Sequence, residues 1–269
     1  MFILILPITS KPHTKKKIKY FCKILKYFNI ITFWVKIILM NIVEFIKKEL
    51  SGWGKYERII FPLEILLIIL ISIYMKDNKV ALVSAICGIS YTILAGKGKI
   101  SCYLFGLAGT FCYSFISFKN ALFGNLALYA LYYFPMQVVG IFKWKEHLKA
   151  DSQEIEKTKL SRKEAIIYFS LAIICSMILA IILWKLNDQS PIFDAVTSVF
   201  SIIGLILTVK RCIEQWYIWL VVNGLSVIMW IQAYLNGSNC FATILMWGTY
   251  FILSIYFFHT WNKEMSIRK

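Results

Sequence analysis

The sequence predicts an all-α polytopic membrane protein, and three observations lead to this fold class. Hydrophobic residues make up 59% of the 269 residues and charged residues only 16%, against about 25% charged residues in soluble proteins. Apolar runs of about 20 residues, the length of a membrane-spanning helix, recur along the chain. Lys and Arg gather in alternate loops between these runs. Together these features exclude a soluble enzyme, a nucleic-acid binder and a disordered adaptor as good descriptions of the chain.

About eight apolar segments, separated by polar breaks, are predicted to be transmembrane helices. They are residues 59–75, 80–95, 101–118, 122–142, 165–186, 192–209, 215–235 and 241–258. The segment 143–164 is strongly charged, so we expect it to form a loop in water between the fourth and fifth helices.

Loop charge predicts the orientation, because Lys and Arg are retained on the cytoplasmic side. One set of loops, with the lead-in 40–58 and the tail 259–269, holds eighteen Lys and Arg residues, and the opposite loops hold four. Both termini are therefore expected in the cytoplasm of a cell whose plasma (inner) membrane holds the protein. The net charge of +16 is then a topology signal, and no nucleic-acid partner is expected.

Residues 1–39 form a basic extension ahead of the predicted spans. Its apolar stretch 27–38 is short for a span and is interrupted by Lys36. The extension is either an interfacial amphipathic helix or a segment that is not translated, with the true start at Met40. We favour the start at Met40.

The two halves of the chain resemble each other at a constant offset of 114 in residue number. Tyr103 falls on Tyr217 and Tyr133 on Trp247, and the boundaries of the spans shift by nearly the same amount. Because four spans separate equivalent positions, the two copies have the same orientation in the membrane. This arrangement is a parallel internal repeat, which is typical of transporters that bind substrate between the two halves.

Polar and aromatic residues follow single helical faces in three of the predicted spans. In the seventh span they are Trp216, Trp219, Asn223, Ser226 and Trp230. In the fourth they are Asn125, Tyr129, Tyr133, Gln137, Gly140 and Trp144. In the eighth they are Asn239, Thr243, Trp247, Tyr250 and Ser254. A polar side chain in hydrocarbon usually faces a partner or a cavity, so these series predict a cavity with aromatic walls and interspersed amides.

Such a cavity suits a neutral or cationic planar ring that carries hydrogen-bonding groups. No Lys or Arg lies deep in any span, and a phosphate normally requires one of them. A substrate without phosphate is the inference. The alternative for the amides is that they join helices. Trp144, Trp261 and Tyr256 are interpreted as members of the interfacial aromatic belts.

Catalytic and metal sites are not expected, and no cofactor is implied. The seven Cys residues are scattered without a CxxC pair, and the three His residues lie outside or at the edges of the apolar runs. Glu64 is the one carboxylate well inside a span. It is a candidate proton relay, but we favour a packed, protonated side chain or one that snorkels to the interface. Asp194 is interpreted as a helix-start residue and Pro135 as a kink, either a hinge or a local bend.

Two motifs resemble those of the PnuC vitamin B3 transporters. They are Tyr133-x3-Gln137-x2-Gly140-x3-Trp144 and Trp216-x2-Trp219-x3-Asn223, and the resemblance extends over residues 53–261. It implies a 3+1+3 core similar to that of the SWEET sugar transporters, preceded by an extra span at 59–75. The three-helix bundles would be 80–142 and 192–258, joined by the span 165–186.

The resemblance also implies import of nicotinamide riboside by facilitated diffusion, with a cytoplasmic kinase trapping the product for NAD synthesis. Trp219 and Asn223 would contact the substrate and Gln137 would face them. We extend the candidate substrate-binding set to Tyr133, Trp216, Trp247, Ser226, Asn125 and Asn239. A homo-oligomer, such as a trimer, is a further implication. Thiamine or riboflavin transport remains open, as does the role of a membrane-embedded enzyme or a scaffold.

Overall fold

The computed structural model describes residues 43–74, 79–119, 126, 128–149, 154–186, 190–237 and 241–267. The extension 1–39 and two candidate site residues, Asn125 and Asn239, lie outside the described residues. The chain divides into a unit of residues 1–50 and a unit of residues 51–269. In the first unit, residues 43–49 are helical, and Glu44 and Lys48 form an ion pair of 3.1 Å one turn apart.

The second unit is built from helices. They are α1 (Glu57–Tyr74), α2 (Lys79–Gly96), α3 (Cys102–Lys119), a π-helical segment (Leu128–Tyr133), α4 (Phe134–Lys145), α5 (Arg162–Lys185), α6 (Pro191–Val209), α7 (Gln215–Leu235) and α8 (Phe241–Ile267). The described residues form isolated β-bridges but no strand. The predicted all-α class is confirmed.

Helices α2, α3 and α4 pack in sequence order as one group, and α6, α7 and α8 pack in the same way as a second group. The groups meet where α4 contacts α6 and where α8 contacts α2. Helix α5 joins the groups and packs on α6, while α1 packs on α2 and α8. In each group, therefore, the first helix contacts the third helix of the other group.

Helix α5 shows an apolar surface that water cannot solvate favourably. A capping box formed by Ser161 and Glu164 begins it, and only 11% of its most apolar segment is buried. Within the described residues, α5 and α6 are the helices long and apolar enough to cross a membrane, and the apolar parts of α2 and α3 are shorter. An apolar helix exposed nearly all round is expected in lipid. The eight-span topology stays a prediction.

The π-helical segment Leu128–Tyr133 ends two residues before Pro135. Proline has no N–H, and its ring collides with the carbonyl group four residues earlier in an α-helix. A wider π turn relieves this collision, and such turns are frequent at functional sites. The sequence-based kink at Pro135 is thus a change of helix type that precedes the proline.

The turn between α2 and α3 has the same backbone form as the turn between α6 and α7. Gly98 and Arg211 both have left-handed φ angles, +69° and +63°. The amide that follows each donates to a carbonyl five residues back, from Lys99 to Leu94 at 2.8 Å and from Cys212 to Leu207 at 2.9 Å. Gly98 is therefore equivalent to Arg211, and the register of the repeat inferred from the sequence is wrong by one residue at these turns.

The loop 154–160 crosses both turns. The Ile155 N–H donates to the Gly98 carbonyl at 2.9 Å, and the Thr158 N–H donates to the Arg211 carbonyl at 2.9 Å. Ile155 is fully buried. This part of the predicted charged loop is consequently an ordered strap, bonded through its backbone to one turn in each helix group.

Trp144 and Trp261 lie towards the end of the third helix of each group as fully buried residues. The Trp144 indole N–H donates to the Thr208 carbonyl at 3.0 Å, and that of Trp261 donates to the Gly96 carbonyl at 2.6 Å. Each indole thus satisfies a carbonyl near the C-terminal end of the opposing first helix. The expectation that these two residues form an interfacial belt is wrong.

Candidate functional site

A cavity of about 220 Å³ lies between the two helix groups. Its aromatic wall consists of Tyr91, Tyr129, Tyr133, Trp216, Trp219, Trp247 and Tyr250. Its polar groups belong to Thr92, Thr110, Gln137, Ser201, Thr208, Gln215, Asn223 and Ser254. Within the part of the chain that the structure describes, the lining includes no Lys, Arg, His, Asp or Glu. The cavity can therefore stack a planar ring and exchange hydrogen bonds with it, but it offers no side-chain countercharge.

Helix α7 presents Trp216, Trp219 and Asn223 to the cavity because their spacing of three and four residues keeps them on one face. The Trp219 indole N–H donates to the Thr208 hydroxyl at 3.2 Å, and that hydroxyl donates to the Gly204 carbonyl at 2.8 Å. A Cβ atom at Gly204 would lie 3.1 Å from the Trp219 ring. The absence of a side chain at Gly204 thus admits the indole.

Asn223 is held from the neighbouring helix. Its amide nitrogen donates to the Ser254 hydroxyl at 2.9 Å, and that hydroxyl donates to the Tyr250 carbonyl at 2.8 Å. Asn223 and Ser254 are both buried. The hydrogen bonds orient the amide of Asn223 before any ligand arrives.

Gln137 of α4 supplies the amide that the first helix group contributes to the cavity. Its amide nitrogen donates to the Thr110 hydroxyl at 3.3 Å. The amide packs against Gly106 of α3 so closely that a Cβ atom there would overlap it. This contact places the Gln137 amide at the cavity wall.

Three buried polar atoms of the lining make no hydrogen bond within the described residues: Gln137 Oε1, the Tyr91 hydroxyl and Trp216 Nε1. A buried polar group left without a partner costs about 1–3 kcal/mol. Each atom has almost no accessible surface, so a ligand with two acceptors and one donor would satisfy all three once the surrounding side chains shift. These atoms are the clearest sign that the cavity takes a polar molecule.

The tyrosines of the π-helical segment form one side of the cavity. Tyr129 stacks on Tyr133 with ring centroids 4.8 Å apart, and Tyr113 stacks on Tyr129 at 4.3 Å. The hydroxyl of the neighbouring Tyr132 donates to the Ile202 carbonyl of α6 at 2.7 Å. The π turn therefore links the third helix of one group to the first helix of the other at the cavity.

The turn between α2 and α3 carries a charged cluster outside the cavity. Lys97 pairs with Glu57 at 3.0 Å, and the Tyr256 hydroxyl donates to the same carboxylate at 2.6 Å. Burial raises the pKa of Glu57, but the hydrogen bonds from Tyr256, the Gly54 N–H and Lys97 outweigh it, so the net pKa is below its ordinary value of 4.5. The carboxylate is thus charged at neutral pH and ties the start of α1 to α8 and to the end of α2.

Six of the nine candidate residues line this cavity: Trp219, Asn223, Gln137, Tyr133, Trp216 and Trp247. Ser226 is buried on the same face of α7 but lies beyond the cavity. Asn125 and Asn239 lie outside the described residues. Glu64, the candidate proton relay, is on α1, from which no described residue reaches the cavity.

Sequence reasoning missed the contribution of α2 and α6. Helix α2 supplies Tyr91 and Thr92, and α6 supplies Ser201 and Thr208. Ser201 and Thr208 are seven residues apart and Gly88, Tyr91, Thr92 and Ala95 share one face, so the helical periodicity was present. It was hidden because most of these residues are small and sit in strongly apolar helices.

The chain was compared with known protein families and curated proteins. Residues 78–263 match the family described as nicotinamide mononucleotide transporter. A relative from Neisseria mucosa named nicotinamide riboside transporter PnuC is 31% identical over 81% of this chain and 85% of its own length. A relative of the same name from Haemophilus influenzae is 28% identical over 83% of this chain and 97% of its own length.

A solved structure also resembles the fold. The crystal structure of the vitamin B3 transporter PnuC matches with a TM-score of 0.69 and 30% sequence identity. The match covers 81% of this chain and 95% of that one. The similarity therefore includes nearly the whole of the solved chain.

Proposed function

The chain belongs to the PnuC family of transporters, which are not enzymes, and we propose that it imports nicotinamide riboside across the plasma (inner) membrane. The observation that carries this proposal is the neutral cavity between the two helix groups, walled by aromatic rings and amides. Nicotinamide riboside joins a positively charged pyridinium, a carboxamide and ribose hydroxyls, and it has no phosphate. Each of these features has a counterpart in the cavity wall.

In this proposal the tryptophan side chains bind the pyridinium ring of the substrate. A cationic ring over the face of an indole gains about 0.5–2 kcal/mol from cation–π attraction, and Trp216, Trp219 and Trp247 all line the cavity. The rings also stack on a planar ligand without regard to its charge. Trp219 is the primary stacking residue in this proposal because Thr208 fixes its indole.

In this proposal the amide side chains and their polar neighbours form hydrogen bonds with the carboxamide and the hydroxyl groups of the substrate. Gln137 Oε1 has no partner within the described residues and accepts hydrogen bonds, and the Tyr91 hydroxyl and Trp216 Nε1 supply donors. Asn223, oriented by Ser254, completes the set from the opposite group. Tyr133 and Trp247 also line the cavity and are expected to contact the substrate.

The family description names the mononucleotide, whereas the curated relatives are named for the riboside. The lining favours the riboside, because a phosphate requires Arg, Lys or an equivalent donor set and the described lining has no cationic side chain. Burying a phosphate without such partners is strongly unfavourable.

The transport mechanism we propose is facilitated diffusion through two pseudo-equivalent helix groups. Support comes from the two matching turns and from the reciprocal contacts of first and third helices, which together suit a 3+1+3 parallel repeat with α1 as an extra span. A substrate at the joint between the halves is reached from either side when the halves rock. A cytoplasmic kinase would trap the product, and assembly into a homo-oligomer is part of the same proposal.

Calorimetry on the purified protein tests the substrate. Nicotinamide riboside, nicotinamide mononucleotide, thiamine and riboflavin are titrated separately into the detergent-solubilised chain. We expect binding of nicotinamide riboside and none of the mononucleotide. Binding of thiamine or riboflavin instead would change the substrate that we assign but not the fold. Equal binding of the mononucleotide would contradict the argument that an uncharged lining excludes phosphate.

Uptake into proteoliposomes tests the mechanism. Labelled nicotinamide riboside should equilibrate across the bilayer without ATP or an ion gradient, and internal unlabelled substrate should accelerate its entry. Accumulation above the external concentration that depends on an imposed ion gradient would replace facilitated diffusion with coupled transport. A Trp184→Ala protein serves as a control, since Trp184 is 70% exposed on α5.

A further inference from the structure

A second cavity, of about 380 Å³, lies at the turn between α6 and α7 and is called the turn cavity here. Its basic lining residues are Lys143, His147, Lys159, Lys210 and Arg211. Glu164 is the one carboxylate in its described lining. The turn cavity is therefore strongly cationic, whereas the cavity proposed for nicotinamide riboside has no charged residue in its described lining.

The ion pairs around the turn cavity leave much of this charge available. Lys210 pairs with Glu164 at 3.5 Å and Lys143 pairs with Glu146 at 3.3 Å, and all four side chains are exposed. Exposed pairs of this kind are weak and exchange readily for another anion. Lys159 is exposed and makes no ion pair within the described residues.

Arg211 stands out because of its backbone. Its φ of +63° is a conformation that favours glycine, and glycine occupies the equivalent position, Gly98, in the other turn. One guanidinium nitrogen donates to the Glu156 carbonyl at 2.9 Å, and the guanidinium has further N–H donors on a residue that lines the turn cavity. A strained arginine where the matching turn has glycine points to a use for its charge.

The other turn lacks this cationic character. There Lys157 pairs with Glu264 of α8, three residues after Trp261. The residue three positions after Trp144, the matching tryptophan of α4, is His147. Lys97 is neutralised by the buried Glu57. Lys99 and Lys149 pair with Glu154 at the same turn, so the described lysines there have carboxylate partners, whereas Lys159 at the turn cavity forms no ion pair within the described residues.

We propose that the turn cavity binds a phosphate group, either of an anionic lipid headgroup or of a soluble phosphate. Arg211 and Lys159 supply the main charge-assisted hydrogen bonds, and Lys143 and His147 complete the cationic wall. Basic pockets beside helices on the cytoplasmic side of a membrane are typical headgroup sites, and the basic loops predict that this turn is cytoplasmic. The site is distinct from the cavity for nicotinamide riboside and does not depend on that assignment.

Three single variants of the full chain test the proposal. Arg211→Gly removes the guanidinium and relieves the backbone strain, so the protein is expected to fold. Lys159→Gln removes a charge from the cavity wall. Lys145→Gln is the matched control, because Lys145 is exposed at the end of α4 and does not line the turn cavity.

Two probes distinguish the source of the phosphate. Inorganic phosphate is titrated into detergent-solubilised protein and followed by phosphorus NMR line broadening. Phosphatidylglycerol is compared with phosphatidylcholine as a bound adduct in native mass spectrometry after reconstitution in nanodiscs of both lipids. Arg211→Gly and Lys159→Gln should each weaken the bound probe about tenfold without changing the affinity for nicotinamide riboside.

The outcomes separate clearly. Retention of phosphatidylglycerol without binding of inorganic phosphate assigns the turn cavity to a lipid headgroup, and the reverse assigns it to a soluble phosphate. Binding of neither probe overturns the proposal. An equal loss in Lys145→Gln also overturns it, since the attraction would then be a general effect of surface charge.

Discussion

In the first helix group the amide of Gln137 on α4 donates to the hydroxyl of Thr110 on α3, whereas in the second the amide of Asn223 on α7 donates to the hydroxyl of Ser254 on α8. Thr110 and Asn223 are equivalent positions, because they keep the register that the two matching turns define. Gln137 and Ser254 also correspond, because each lies seven residues before the buried tryptophan of its helix, Trp144 or Trp261. The same hydrogen bond thus occurs twice, with amide and hydroxyl exchanged between the helices.

A second difference concerns the middle helices. Gly106 of α3 stands where α7 has Trp219, and the space beside Gly106 is filled by the Gln137 amide. As a result α3 contributes only Thr110 to the described lining, while α7 contributes Gln215, Trp216, Trp219, Val222 and Asn223. The two helix groups therefore enclose one cavity but line it with different side chains.

The largest effect is expected at Trp219. Trp219→Ala should lower the affinity for nicotinamide riboside about 10- to 100-fold, because stacking of a base on an aromatic side chain contributes about 1–3 kcal/mol. Calorimetry on the purified variant measures the loss. Trp184→Ala makes the same change at an exposed position on α5. An equal loss of affinity in that variant would contradict the assignment of Trp219 to the binding site.

The exchanged amides should respond differently to mutation. Gln137→Met keeps the length of the side chain and removes both the buried Oε1 that lacks a partner within the described residues and the 3.3 Å hydrogen bond to Thr110, so affinity should fall about tenfold while Tm changes little, because the relief of the unpaired oxygen offsets the lost hydrogen bond. Asn223→Ala should lower both affinity and Tm, because it also breaks the hydrogen bond with Ser254. Calorimetry and thermal unfolding in detergent separate the two effects. A Gln137→Met protein that binds normally would contradict the role of Oε1.

Gly106→Ala tests the close packing in the first group. The new Cβ atom would overlap the Gln137 amide, so we expect a loss of about 1–3 kcal/mol in the free energy of unfolding together with weaker substrate binding. Gly248→Ala is the control, since nothing lies within 4 Å of a Cβ atom there, and it should stabilise the protein by about 0.5–1 kcal/mol. A Gly106→Ala protein as stable as the Gly248→Ala protein would mean that the Gln137 amide moves aside easily.

The smallest effect is the pH response of two lysine–glutamate pairs. Glu57 pairs with Lys97 and is 11% exposed, whereas Glu164 pairs with Lys210 and is 48% exposed. Because the pKa of Glu57 is lowered below 4.5 in the folded chain, its stabilising contribution is present above that pH and is lost as the pH falls through the lowered value. Glu57→Gln should therefore lower Tm at pH 7 more than Glu164→Gln does, and the difference should shrink below about pH 4.5. If the difference in Tm between the two variants persisted in acid, packing of the Glu57 side chain and not its charge would be the cause.

The helical class and one wall of the cavity were predictable from the sequence. The spacing of Trp216, Trp219 and Asn223 identified the correct face of α7, because a period of 3.6 residues fixes which side chains share a face. It does not fix how far a cavity extends along the helix. Ser226 has the right face, but it lies beyond the end of the cavity.

Other features depend on contacts between distant segments and were not accessible to periodicity. The sequence of the strap 154–160 indicates a charged loop, but its backbone forms hydrogen bonds with the turns at Gly98 and Arg211. The tryptophans Trp144 and Trp261 resemble an interfacial belt in sequence, yet each is buried against a helix end of the other group. The register of the repeat became visible only through these turns and indoles.

The structure of the protein with nicotinamide riboside bound would test the central claim most directly. We expect the pyridinium to stack on Trp219, with polar groups of the ligand within hydrogen-bonding distance of Gln137 and Asn223. Ligand density in the turn cavity, or at a surface that Trp219 does not reach, would contradict the proposed site.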